Sequence, residues 1–253
     1  MSAAIQGLRL VLLLIAVCFA SPGMAGNKVN TNDATSVQAV TEVAFRSRIH
    51  GPCTLTYNSS AIRMDCTSRG VVFLIKAPDW RMYYFKPSSK VYFDCPGKDF
   101  IPDDVKTFHS MRPGSPGALK PISYRKTILM GRPCTFCVME NPQKVIGAKL
   151  PRWQKLLIKS GELWIDEVPG IPIDAFHTIQ RSLGLPYTKG LPLKMNTVNN
   201  DGFNVSEPEL KLYSINYKKV PRDFFTLPKG FSRAKNATAV GENQDPEIYE
   251  IMR

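Results

Sequence analysis

Thiols are the side chains here whose type and spacing could do chemistry. Cys53, Cys66, Cys95, Cys134 and Cys137 stand beyond residue 50, and Cys18 lies in an apolar N-terminal run. Cys134-Thr-Phe-Cys137 has the spacing of a redox dithiol, but that chemistry needs the pair at a helix N-terminus in a βαβ unit, where the dipole lowers a thiol pKa. Arg132-Pro-Cys-Thr-Phe-Cys-Val-Met139 reads instead as a strand. Zinc is not expected, because no second Cys/His pair stands at ligand spacing. Disulfides are the remaining expectation. With strands over Thr54–Tyr57 and Ile62–Asp65 turning at Ser59-Ser60, Cys53 falls opposite Cys66, at about the 4.5–5.5 Å between Cβ atoms that a cross-strand bridge can use. Cys95 is expected to pair with Cys134 or Cys137.

Catalytic patterns are missing. His50, His109 and His177 are isolated, and neither His-Glu-x-x-His nor Gly-x-Ser-x-Gly occurs; Gly114-Ser-Pro-Gly117 lacks the elbow spacing. Asp65, Asp79, Asp94, Asp166 and Glu167 could pair as carboxylates, but spacing alone gives no separation. The expectation is a non-enzyme with no catalytic residue, no cofactor and no metal.

The elements that would position these residues begin after an export signal. Arg9, the apolar run Leu10–Ala20 and the small residues up to Ala25 have the order of a cleaved secretory leader. Residues 1–25 are therefore expected to be removed, and the protein to be periplasmic or extracellular, where disulfides persist. The formal charge of +12, one less without Arg9, is scattered rather than clustered. In an exported chain it suits an anionic membrane surface or acidic partner rather than nucleic acid.

Residues 26–36 form a polar leader, and successive strands follow up to Cys95. Gly70–Lys76 is a buried-strand run, while Trp80–Lys86 and Lys90–Cys95 flank the turn Pro87-Ser88-Ser89. A Gly/Pro-rich connection from Pro96 to about Lys126 carries one short helix near Asp103–Met111. Strands resume at Thr127–Met130, Val138-Met139, Gly161–Asp166 and Leu210–Tyr217. Between them Pro172, the apolar Ala175, Phe176, Ile179 and Leu183, then Gly184 and Pro186, supply the start, face and stop of one helix. Residues 37–231 make a single domain, and 232–253 a polar, disordered tail. The fold class is α+β, mainly β: a strongly curved antiparallel sheet with helices lying on it.

The order of local patterns carries a resemblance. Arg63-Met-Asp, Lys76-Ala-Pro-Asp-Trp80, Tyr84-Phe-Lys-Pro-Ser-Ser-Lys-Val-Tyr92, Gly161-Glu-Leu-Trp-Ile165, Gly184-Leu-Pro, Gly190-Leu-Pro-Leu193 and Val220-Pro-Arg-Asp-Phe-Phe-Thr-Leu-Pro-Lys-Gly-Phe231 follow one another. This series resembles the LolA/LolB-like superfamily of periplasmic lipoprotein carriers and their uncharacterised exported relatives, over roughly residues 40–231. The resemblance implies an unclosed β-barrel of about eleven antiparallel strands, with helices lidding a cavity for acyl chains. The expected walls are Phe73, Ile75, Trp80, Met82, Tyr84, Leu163 and Trp164, and the expected partner is a lipid or acylated protein. The alternative is an envelope or extracellular interaction protein with a self-filled core and a basic docking surface.

Overall fold

The run Val71-Val-Phe-Leu-Ile-Lys76 shows no polar–apolar alternation, and the computed structural model gives the reason: both faces of that strand are covered. The structure describes residues 37–103, 105–107, 115–142, 158–199 and 208–242. The expected leader, His109 and the last residues of the chain lie outside them. The described residues all fall within one unit.

The strands are β1 (Val37–Ser47), β2 (Gly51–Asn58), β3 (Ala61–Cys66), β4 (Val71–Lys76), β5 (Arg81–Lys86), β6 (Val91–Pro96), β7 (Lys120–Leu129), β8 (Arg132–Glu140), β9 (Ile158–Asp166), β10 (Leu191–Asn199), β11 (Leu210–Pro221) and β12 (Ser232–Arg233). Among the described residues, α-helices run over Ile173–Ser182 (α1) and Ala237–Glu242 (α2). All strands join one sheet in the order β12-β6-β5-β4-β3-β2-β1-β11-β10-β9-β8-β7. Every pairing is antiparallel except β12 on β6.

Turn chemistry fixes the hairpins. At Ser59-Ser60 the Asn58 side-chain oxygen accepts from the backbone N–H groups of Ser60 and Ala61, an Asx turn. Between β7 and β8 both Met130 (φ 51°) and Gly131 (φ 76°) are left-handed, the two-residue geometry that matches strand twist.

Long-range bonds show how far the sheet curls. The Tyr57 hydroxyl on β2 donates to Asp166 on β9 at 2.5 Å, although β1, β11 and β10 stand between those strands. Arg132 on β8 likewise donates to Thr41 on β1 at 3.2 Å. The two ends of the sheet do not pair, so the barrel is unclosed. Bulges at Ala44/Phe45 in β1 and Pro192/Lys194 in β10 help bend the strands.

Alternation along β4 separates two cores. Val71, Phe73 and Ile75 join a large cluster with Leu55, Ile62, Met64, Met82 and Leu163, covered by Ala175, Phe176 and Ile179 of α1 and by Val240 of α2. Val72 and Leu74 point the other way, with Phe85, Val40 and Val220, and are roofed by the chain after β11. There Phe225 is buried and Phe231 stands edge-on to Phe85 at 5.7 Å. The closing Phe-Phe-Thr-Leu-Pro-Lys-Gly-Phe segment is thus a strap across the outer face.

Several expectations need correcting. Among the described residues the sheet has twelve strands against the about eleven expected, the additional one being Ser232–Arg233, which pairs in parallel with Val91–Tyr92. Residues 232–242, read from their polarity as a tail, instead carry β12 and α2; two backbone bonds, Ser232 N–H to Lys90 and Ala234 N–H to Tyr92, hold a segment too polar to be legible as a strand. The connection after β6 ends earlier than expected, since β7 starts at Lys120. Residues 103 and 105–107 are helical, as read.

Candidate functional site

Four of the expected wall residues meet as two opposed pairs: Phe73 faces Tyr84, and Ile75 faces Met82, across β4 and β5. Phe100 completes an aromatic triangle with Phe73 at 6.0 Å and Tyr84 at 5.5 Å. Leu163 enters the same cluster from β9. These five expected residues are buried, while Trp80 and Trp164 are partly buried and pack against the cluster.

The two tryptophans occupy different settings. Trp80 ends the β4–β5 turn at φ 50°, unusual for a bulky residue. It lines an open cleft of about 430 Å³ between that turn, Pro96–Lys98 and the start of α1. Trp164 is a strand residue with Phe136 edge-on at 4.8 Å and the Lys194 ammonium over its ring at 4.7 Å. A second open groove, about 530 Å³, lies along β8–β10 at Val138, Glu162 and Asn196.

Over the cluster lies α1, held by polar contacts. Arg181 donates to the carbonyls of Gly97 at 2.9 Å and Lys98 at 2.8 Å. His50, in the β1–β2 turn, donates from Nε2 to the Ser182 carbonyl at 2.6 Å, and its ring lies 5.4 Å from Phe73. Burial holds the His50 pKa down at about 4, against the raising effect of the Ser182 bond. Gly97 permits the close approach, since a Cβ there would fall 2.5 Å from Thr178 Oγ1. Buried Gln180 ties the following loop to the helix through Thr188 and Gly190.

A second polar group spans the curl. Asp166 accepts from Tyr57 at 2.5 Å and Arg132 at 2.6 Å. The Arg132 guanidinium also lies over the rings of Tyr57 and Tyr217. Burial first, then the Asp166 carboxylate, pushes the Tyr57 hydroxyl far above its usual range. Glu167 accepts from Thr135 and Lys126, which hold its carboxyl below the usual range. The adjacent carboxylates read from the sequence are thus engaged with different partners. Sequence reasoning missed Arg132, Tyr57 and Arg181, whose partners are remote in sequence.

Cys53 and Cys66 are directly opposed, in the register the turn at Ser59-Ser60 requires. Their sulfurs lie 3.2 Å apart as thiols, so the expected bond is not formed in the structure. The hydrogen bond from Cys53, followed by burial, drives the Cys66 pKa far up. No bridge joins Cys95 to Cys134 or Cys137. In sheet order, β5, β4, β3, β2, β1, β11, β10 and β9 stand between those cysteines, a separation that residue spacing does not reveal. Burial pushes Cys95 and Cys137 up to about 11, away from the thiolate that redox chemistry uses. What the assembled side chains offer is an apolar surface under a pinned helix.

No family model and no curated protein matches the chain. Solved structures to which it is similar include an uncharacterised conserved protein from Thermus thermophilus, 10% identical over 77% of this chain and 89% of that one, with a TM-score of 0.31. A LolA superfamily protein from Nitrosomonas europaea is 10% identical over 77% and 91% of the two chains, with a TM-score of 0.20. A Vibrio parahaemolyticus domain described as an outer membrane lipoprotein-sorting protein is 9% identical over 74% and 87%, with a TM-score of 0.22.

Proposed function

We propose that the protein is an exported, non-catalytic binding protein that holds the acyl chain of a lipid or lipid-modified protein against the inner face of its curved sheet, beneath α1. The observation that carries this reading is the amphipathic lid. Phe176 and Ile179 share one buried cluster with Phe73, Ile75, Met82 and Leu163, while Arg181 and the His50–Ser182 contact pin one end of the helix. An acyl chain held beneath the helix would bury its methylenes at about 0.8 kcal/mol per CH₂. The cleft beside Trp80 opens next to the start of the same helix and offers an entrance.

A second reading has its own support. Phe73 is 1% exposed and Ile75, Met82 and Leu163 are 0% exposed, which suits an interaction protein whose own side chains fill its core. Native mass spectrometry of gently extracted protein, with uptake of a fluorescent fatty acid, separates the two. Co-purified lipid and saturable uptake are expected. A ligand-free protein that takes up no fatty acid overturns the carrier reading in favour of the self-filled one.

A further inference from the structure

One end of the sheet is partly covered by the chain, over Val91 and Tyr92, and the other is left open among the described residues. At the first, β12 pairs with β6, and Arg233 adds an ion pair to Asp94 at 2.6 Å. At the second lies β7, ten residues long, which among the described residues pairs only with β8. Natural sheets blunt such edges with short strands, prolines or bulges. In β7 Pro121 and the bulge that follows it interrupt pairing only at the beginning, while Arg125 and Lys126 place charge, another edge device, in the remainder. From Ser123 to Leu129 the register is regular.

That edge is also where apolar side chains meet solvent: Ile122 is 57% exposed, Tyr124 42%, Ile128 71%, and Met130 in the adjoining turn 59%. Lys120, Arg125 and Lys126 give the strand three cations and no anion, Lys126 being already paired with Glu167. We propose that β7 is a docking edge for an extended acidic peptide segment of a partner protein, which adds as a further strand with apolar and acidic residues alternating. The ladder hydrogen bonds supply affinity and the exposed side chains selectivity. Charge selects this occupant over two others. A second copy would bring a wholly cationic strand against itself, and like charges across strands destabilise pairing. A lipid interior would leave the free N–H and C=O groups of the edge unsatisfied. This inference is independent of the acyl-chain reading.

The test is a labelled nonapeptide alternating glutamate and valine, titrated into the full-length protein and followed by fluorescence anisotropy, with amide hydrogen exchange to locate it. The expected result is saturable binding that protects residues 123–129. A lysine–valine peptide, or the glutamate–valine peptide N-methylated at alternate residues, should bind at least ~10-fold more weakly. The Arg125→Glu/Lys126→Glu/Ile128→Asp variant should lose binding by a similar factor, with circular dichroism confirming its fold. Absence of binding, equal binding of the cationic peptide, or protection confined to other strands overturns the proposal. So does sedimentation that shows a peptide-independent dimer, or binding to phosphatidylglycerol-containing vesicles, abolished by the same substitutions.

Discussion

The imidazole of His50 works against folding when the solution turns acidic. Burial holds its pKa at about 4 in the folded chain against 6.5 for a free histidine. Above pH 6.5 the ring is neutral in both states and contributes no pH dependence. Between 6.5 and 4 the unfolded chain takes up a proton that the folded chain refuses, so stability falls as pH falls, by about 3 kcal/mol across the window. His177 is shifted in the same direction, so the comparison is between wild type and His50→Gln. Urea melts at pH 7 and pH 4.5 should show a smaller acid loss in the variant; equal losses would exclude His50 as the source. Cys53 and Cys66 form the second residue-scale case. In an oxidising compartment their two thiols are expected to pass two electrons and two protons to a donor disulfide, which leaves as a dithiol. Non-reducing peptide mapping should find them joined, and alkylation of both in denaturant without reductant would refute it. This pair was legible because a local turn sets its register. The Asp166–Arg132–Tyr57 group was not, since nothing in the spacing of three polar residues announces a meeting across the curl.

At the scale of elements, that group clamps two arms of one sheet. Removing the guanidinium by Arg132→Met leaves a buried Asp166 carboxylate with only the Tyr57 hydroxyl, at a cost on the order of 3 kcal/mol. Chemical denaturation should register this, and adding Asp166→Leu should restore part of the loss by removing the uncompensated charge. An additive double variant would mean that the pair does not act as a clamp. Periodicity made α1 legible, with its start, face and stop all written locally. The strand Leu191–Asn199 was harder, because Pro192 and the bulge beside it interrupt the alternation that marks a strand. It belongs to a tight corner: a Cβ at Gly190 would fall 2.5 Å from the Asp166 carbonyl oxygen, so backbone approach rather than pattern defines the turn.

For the whole molecule, the C-terminal segment decides whether the first half of the sheet stays covered. Truncation after Phe231 removes β12 and α2, uncovers the β6 edge and strips Val240 from the core. Lower thermal stability and oligomers in light scattering are expected; an unchanged, monodisperse protein would show that β12 is dispensable. Fold class was legible from strand density, whereas strand order was not, because the partner of β1 lies beyond every other long strand. The β1–β11 seam, Val37 against Pro221 through Ser47 against Leu210, joins the sheet's two halves. That seam also sets a schedule. A chain emerging N-terminus first can make the hairpins from β1 to β6, and later those from β7 to β10, but the halves cannot be stitched together until residues 210–221 arrive. Sheets dominated by such distant pairings assemble slowly. Assembly of the complete sheet therefore waits for residues 210–221, and until they arrive β1 and β10 each keep one edge unpaired while their other edge is held by β2 and β9.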